Sequence, residues 1–525
     1  MKKCKILWVV LAVIIMSITD SMAQDWNQIV KVCASDRTAT DCYSRYTMAM
    51  SDGYAIVGAV GNDVDANGGS PVTDAGAAYI LKNNNGNWQQ VQKIVSPDRG
   101  YGYTFGFCVA LTDHYAFVSA NMESVSGVLN AGAVYVFENQ NGSWAFVQKI
   151  TAPDKQQGDR FGWSLSTYGD YLLIGCPYQS HDRNGANYKI STGSFYSYKN
   201  INGVWTFVEQ VTAINRVQAE YFGGSLSMYG NWLIVGAFVP GALHAGAVYI
   251  FYNLGGMWAQ LQKITSPDIA ANDAFGYSVS MYGDYAVIGA PEEDEDAGGG
   301  NTLASAGSAY IYKNISNVWT FQQKIVAADR MGSDKFGGAV SIFGDYIYAG
   351  AALQNFDANG ANQRIDAGAM YIFKKDSTSW QQVQKVVAAD RVQGDCFGSS
   401  ITARNNYIIS GAYLQDFDGN GGDEKTNAGA AYFFYKCGPP SVPASKLLFG
   451  TTTATNFTVS SFTGSATGAD GYVIYINDTN YFVAPDDGLV PSANTVYAGG
   501  QQCIYEGSST MLNITVTGLT VNSEY

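Results

Sequence analysis

A tryptophan phrase recurs along this chain at a nearly constant interval, and that recurrence limits the fold more than any other feature. The residues are Trp26, Trp88, Trp144, Trp205, Trp258, Trp319 and Trp380, spaced by 62, 56, 61, 53, 61 and 61 positions. Each opens a similar stretch, as in WQQVQKI (Trp88 to Ile94) or WTFQQKI (Trp319 to Ile325), where apolar and polar residues nearly alternate. That period of two is the mark of a half-buried strand.

Three more phrases recur in fixed order. Phe-Gly stands at Phe105, Phe161, Phe222, Phe275, Phe336 and Phe397. A turn and strand ending in a Gly-Ala-like pair follows, as in GDYAVIGAP (Gly283 to Pro291). Then comes AGAxY with apolar residues, starting at Ala75, Ala131, Ala245, Ala306, Ala367 and Ala428, with Thr192 opening a variant. A tight turn, often Asn-Gly (Asn141-Gly142, Asn202-Gly203), links this phrase to the tryptophan. Asn-Gly suits the positive φ of a type I′ hairpin. Four strands per repeat, with repeats of about 59 residues, describe the blade of a β-propeller. The rungs of a β-solenoid are far shorter.

The repeats number seven. Asp36-Arg37 to Ser44 aligns with Asp390-Arg391 to Gly398 at identical spacing, so Tyr43-Ser44 stands in for a Phe-Gly pair. The order is offset at the ends. The chain opens on a Trp phrase and its last AGAxY phrase, Ala428 to Lys436, has none after it. The expected fold is therefore all-β: a seven-bladed propeller closed by an N-terminal strand, Trp26 to Val32, which serves as the fourth strand of the last blade and covers an open sheet edge.

These phrases resemble the FG-GAP repeats of integrin α-chain heads and of many bacterial exported proteins, over residues 26–437. The resemblance implies a propeller that presents loops to a ligand or partner, often with calcium. Integrin-type calcium loops precede the Gly-Ala-Pro phrase, whereas the acidic loops here follow it. Asp63, Asp65 and Asn67, then Asn355, Asp357 and Asn359, then Asp416, Asp418 and Asn420 put oxygens at positions 1, 3 and 5, each set with a glycine at 6. That spacing matches the start of a calcium loop, although the glutamate of position 12 is missing. These nine residues are the expected metal ligands, and Ca2+ the expected ion. Solvated Asn/Gly turns have the same composition. The inter-blade loops carry an Asp-Arg motif, at Asp98-Arg99, Asp329-Arg330 and Asp390-Arg391, which is expected to link blades.

Composition narrows the function. The net charge of −14 leaves no basic stripe for nucleic acid. Lys2, Lys3 and Lys5, then an apolar run from Ile6 to Ile18, then Ser21-Met22-Ala23 form a signal peptide, residues 1–23. Export to the cell surface or medium follows, with no transmembrane segment. The cysteines show no metal spacing and read as buried small apolar residues, with Cys33 and Cys42 the nearest pair for a disulfide. The three histidines, His114, His181 and His244, show no catalytic spacing, so the chain is expected not to be an enzyme. The propeller occupies residues 24–437 and a Pro/Ser linker residues 438–445. Residues 446–525 resemble a partial fibronectin type III-like sandwich, which this sequence leaves before its last strands. The expected function is binding or adhesion to an extracellular protein or glycan through the propeller loop face. A carbohydrate-active hydrolase or lyase, or a structural surface protein, is the alternative.

Overall fold

The computed structural model of the chain describes residues 26–436, apart from 85, 183–184, 186, 239–244 and 269, together with the backbone of five strands between residues 446 and 516. The expected signal peptide and the linker lie outside the described residues. Every element described is a strand.

Seven four-stranded antiparallel sheets follow one another. Blade 1 runs Tyr43–Met50, Tyr54–Ala59, Ala77–Asn84 and Asn87–Ile94. Blades 2 to 6 repeat it within residues 105–150, 165–211, 222–264, 278–325 and 339–386. Blade 7 contains Phe397–Arg404, Tyr407–Ala412 and Ala430–Lys436, and its sheet carries Trp26–Val32 beside Ala430–Lys436. First strands of neighbouring blades pack on one another around the ring, blade 7 on blade 1 included.

Strand composition follows position. In second strands such as Tyr285–Ala290, everything after the first residue is buried, because blades cover both faces. Fourth strands such as Trp380–Val386 alternate buried and exposed positions, since one face meets solvent. The hairpin between third and fourth strands turns on Asn141 and Gly142, both at positive φ, and Asn139 Oδ1 accepts the Gly142 N–H at 2.7 Å.

The recurrent phrases are the surfaces where blades meet. A Cβ on Gly289, in the Gly-Ala pair of blade 5, would lie 2.0 Å from the carbonyl oxygen of Gly337, in the Phe-Gly pair of blade 6. Gly307 of the AGA phrase pairs with Phe336 in a parallel bridge across the same boundary. At the seam between blades 7 and 1, Gly429 pairs with Tyr43 in the same way. There Ser44 takes the left-handed φ of 71° that glycine adopts elsewhere, and its hydroxyl donates to the Ala430 carbonyl at 2.7 Å.

Side-chain clamps link the fourth strands. Gln92 Nε2 donates to the Trp144 carbonyl at 2.7 Å, and Gln92 Oε1 accepts the Trp144 N–H at 2.8 Å. Gln148 holds Trp205 alike, Gln262 holds Trp319, and Gln323 holds Trp380. Inside the ring, Ser164, Ser225, Ser278 and Ser400 donate to the carbonyl of residue 223, 276, 337 or 44 in the next blade.

The expected Cys33–Cys42 pairing is corrected: both are free. The Cys33 thiol faces the Phe417 carbonyl of blade 7, while Cys42 lies ahead of the first strand of blade 1. In the second unit, Lys446–Thr452, Phe457–Thr463 and Met511–Val516 form one sheet, and Tyr472–Ile476 pairs with Gln502–Gly507.

A methyl group at the blade contact has nowhere to go. Gly289→Ala should cost roughly 2–3 kcal/mol or more by overpacking. Gly53→Ala, with no atom within 4 Å of the new Cβ, should change stability by under about 1 kcal/mol. Equal denaturation midpoints for the two variants would refute this account of the repeat.

Candidate functional site

The Asp-Arg dipeptides are the fixed frame from which the functional face is built. Asp98 lies between blades 1 and 2 and reaches forward, accepting from Lys149 Nζ at 2.7 Å and from the Tyr135 hydroxyl at 3.3 Å. Arg99 reaches back and clips the blade 1 loop, donating to the carbonyls of Ser70 and Asp63. Asp329-Arg330 repeats the device between blades 5 and 6, and Asp390-Arg391 between blades 6 and 7. The lysine that meets Asp390 is Lys31, at 2.6 Å.

This frame places the nine expected calcium ligands. Asp63 Oδ1 accepts the N–H of Asp74, and Asp65 Oδ1 accepts those of Asn67 and Gly69. Asn355 Oδ1 accepts from Asp366, and Asp357 Oδ1 from Asn359 and Ala361. Asp416 Oδ1 accepts from Asn427, and Asp418 Oδ1 from Asn420 and Gly422. The first ligand position of each loop thus ties its base, and the third caps its turn. Asn67, Asn359 and Asn420 contribute their backbone N–H to those turns. The carbonyls of Asp63, Asn355 and Asp416 are held by Arg99, Arg391 and Arg37. A calcium ion in these loops would compete with a guanidinium already clipped there. Among the described residues, three acidic ligand atoms converge within 4.8 Å at Asp268, Glu293 and Glu295 in blade 5. The Lys324 ammonium sits 2.7 Å from Asp268 and 3.3 Å from Glu293, so this cluster is part of the blade's ion-pair network.

The site that sequence reasoning missed is the mouth of the central channel, on the face carrying these loops. First strands line a channel of about 600 Å3, which contains Met48, Leu165, Val279 and Ile401. A second cavity of about 430 Å3 adjoins blades 1 to 3 and shares Arg45, Tyr46, Phe107 and Trp163 with the first. Aromatic rings make a continuous arc here. Tyr46 and Phe107 centroids are 4.2 Å apart, Phe107 and Trp163 4.9 Å, Trp163 and Tyr178 5.3 Å, Tyr178 and Tyr221 5.1 Å. Phe238 and Tyr277 make a further pair at 4.9 Å.

The Phe-Gly and Gly-Ala phrases at the blade contacts vary little among the seven repeats, with Ser44 and Ser119 each standing for a glycine, whereas the mouth positions vary widely. The residue after Phe-Gly, or after Tyr43-Ser44, is Arg45, Phe107, Trp163, Gly224, Tyr277, Gly338 or Ser399, and each lines the channel. The residue before that pair is Cys42, Thr104, Arg160, Tyr221, Ala274, Lys335 or Cys396, and all seven have φ between 51° and 59°. Left-handed backbone costs a side-chain-bearing residue about 1 kcal/mol. Glycine would avoid that cost, yet Cys42, Thr104 and Arg160 line the smaller cavity and Lys335 the channel. Lys335 is paired there with Glu292.

Beneath the mouth lie buried acids. Asp159, Asp273, Asp334 and Asp395, two residues ahead of Phe-Gly, cap turns through one oxygen, at 2.6–2.8 Å from a backbone nitrogen. Burial pushes each carboxyl up to about 7. Asp98 moves the other way, held below the usual carboxylate range by its hydrogen bond from Lys149.

A family model described as FG-GAP repeat matches residues 26–81, 88–137, 144–191, 205–251, 258–312, 319–373 and 380–434. No curated protein matches the sequence. Similar solved structures include a periplasmic gluconolactonase of Pseudomonas aeruginosa, at 14% identity and TM-score 0.41, covering 66% of this chain and 87% of that one. A 6-phosphogluconolactonase candidate from Bacteroides fragilis follows at 11% identity and TM-score 0.41, covering 66% and 86%. One from Bacteroides uniformis has 10% identity and TM-score 0.43, covering 70% and 90%. The expectation that this chain is not an enzyme is corrected by these neighbours, which are a lactonase and two lactonase candidates. Likeness at this level is one of fold and transfers no activity.

The buried acids set a pH dependence. They stay neutral in the folded chain up to about pH 7 and ionise near pH 4 when unfolded. Between those values the folded state holds extra protons, so stability falls as pH rises. Asp98 contributes the opposite slope, but only below about pH 4. The melting temperature should be higher at about pH 5 than at about pH 8, and Asp334→Asn should narrow the difference. A wild-type protein equally stable at both pH values would contradict this.

Proposed function

The chain belongs to the FG-GAP repeat family, and on that premise we propose that it is an exported recognition module whose ligand docks at the aromatic mouth of the channel. One observation carries this reading: the repeats are nearly constant at the Phe-Gly and Gly-Ala blade contacts and differ where their first strands open onto solvent. A ring that only had to close could repeat a single residue at each mouth position. Concave sites lined by aromatic rings with a few polar groups are where proteins hold ligands, and loops on a rigid scaffold commonly carry them.

Adhesion at the cell surface is the setting proposed, supported by the lysines, apolar run and small residues at the N-terminus. The segment after the Pro/Ser linker is proposed as a fibronectin type III-like spacer, supported by its strand pairing. Calcium is proposed as an ancillary ion at the loops beginning with Asp63, Asn355 and Asp416, supported by their oxygen spacing. Competition with the arginine clips puts the expected affinity in the millimolar range, roughly 10⁻⁴–10⁻³ M. We also propose that the strand Trp26–Val32 holds the ring shut, supported by the pairing of Lys31 with Asp390.

A glycan and matrix-protein array, run with and without millimolar calcium, tests the main reading. Trp163→Ala should lower binding to the captured ligand at least tenfold, and calcium should strengthen it modestly. An array on which nothing binds would reject the proposal. Removal of residues 24–34 takes Lys31 away from Asp390 and the buried Tyr432 and uncovers the edge of Ala430–Lys436, and should lower the melting temperature by roughly 10 °C or more. An unchanged melting temperature would show that the strand does not close the ring.

A further inference from the structure

Resting on the channel-mouth reading, we propose that the ligand is an acidic glycan, and that the smaller cavity holds a carboxylate-bearing sugar residue between Arg45 and Arg160. Most arginines of the frame are engaged: Arg37, Arg99, Arg216, Arg330 and Arg391 donate to loop carbonyls, and Arg404 pairs with Asp52. Arg45 and Arg160 are not used in this way. The Arg45 guanidinium lies 5.0 Å from the Tyr46 ring centroid and 5.4 Å from that of Tyr413, and Arg45 also contacts the Cys42 thiol. Arg160 lies 4.6 Å from Tyr178 and 5.8 Å from Trp163. Among the described residues, neither forms an ion pair with a carboxylate. Stacking on a ring fixes the plane of a guanidinium and leaves its N–H groups for a planar anion, which it binds with two parallel hydrogen bonds.

A second, independent feature points into the same cavity. Asn121 lines it, is 1% exposed, and accepts from the Thr104 hydroxyl at 2.8 Å. Its Nδ2 is buried without an acceptor. Buried polar groups in folded proteins are normally paired, so this amide of the cavity wall has a donor left for a ligand oxygen, which reaches it once the side chain turns toward the cavity. The Asp74 carboxyl, also in the wall, offers an acceptor to a hydroxyl.

The rest of the wall decides between anions. Tyr46, Phe107 and Trp163 form a surface that suits the C–H face of a sugar ring, whose polarised hydrogens meet the negative faces of aromatic rings. An acidic peptide side chain would satisfy the two arginines and leave those rings and Asn121 uncovered. The cavity volume of about 430 Å3 falls in the range of small-ligand sites, roughly 300–1,000 Å3.

Calorimetric titration of the full chain tests the assignment, with three probes: a galacturonic acid trisaccharide, its carboxyl-reduced neutral form, and hexaglutamate. The uronide should bind, and the other two should bind at least tenfold more weakly. Arg45→Gln and Arg160→Gln should each weaken uronide binding at least tenfold, with unchanged melting temperatures. Arg160→Lys, which keeps the charge but not the planar fork, should fall between. Equal binding of the neutral sugar, equal binding of hexaglutamate, or no uronide binding would overturn the proposal. If the array instead yields a Trp163-dependent ligand of another kind, only this inference falls. If the array yields nothing, the channel-mouth reading falls with it.

Discussion

Four of the seven blade boundaries are held by an Asp-Arg dipeptide that faces two ways. The aspartate of an Asp-Arg pair joins a tyrosine and a lysine of the following blade, and the arginine holds a loop of the preceding one. Asp329 accepts from Tyr371 at 2.8 Å and Lys385 at 2.7 Å, while Arg330 donates to the carbonyls of Asp294 and Asn301. The lysine is the buried member of this pair, with 6% of its side chain exposed against 39% for Asp329, and a buried ammonium left without its carboxylate is costly. A blade that slipped against its neighbour would strand an aspartate, a lysine and a guanidinium together. The network therefore specifies angular position around the ring, which apolar packing between near-identical sheets does not.

Blades that depart from the motif show that its chemistry matters more than its spelling. Blade 4 has Asn215 where the aspartate usually stands, and Glu220 supplies the missing carboxylate, 2.6 Å from Tyr249 and 2.7 Å from Lys263. Blade 3 has Gln210 in place of the lysine, and its amide donates to the Tyr196 hydroxyl at 3.2 Å, while Asp154 keeps the tyrosine at 2.7 Å. In both, the buried tyrosine hydroxyl retains an acceptor. At blade 7 the lysine position is filled by Lys31, some 350 residues away in the chain, which is why the N-terminal strand carries the WNQIVKV phrase.

Much of this was legible in the residues. Period-two phrases, Asn-Gly turns and the disguised Tyr43-Ser44 pair give strands, hairpins and blade count directly, because those patterns arise from local geometry. The arginine clips were not legible as clips. They join residues 29 and 36 positions apart across a blade boundary, so the acidic loops read as free ligands when their oxygens are already hydrogen-bonded. The channel mouth was hidden for a different reason. Alignment of repeats rewards what recurs, and Arg45, Phe107, Trp163 and Tyr277 share only a register position. The usable signal was variability beside an otherwise constant Phe-Gly pair.

That pairing of constancy and variability has a physical cause. The carbonyl of a Phe-Gly glycine must approach the Gly-Ala glycine of the blade before it, and the chain reaches that contact only by turning through a left-handed residue just ahead. The residue after the pair lines the channel in all seven repeats, and of those before it Lys335 lines the channel and Cys42, Thr104 and Arg160 the smaller cavity. The fold thus imposes a left-handed backbone at seven equivalent points, where Ala274 and Cys396 are buried while Arg160 and Lys335 line cavities. Such positions accept arginine, tyrosine or cysteine at similar cost, so a site can be composed at the mouth without disturbing the blade contacts beneath. The residues proposed for recognition thus adjoin, within one phrase, those that make the blade contacts, and one set can change while the other stays fixed.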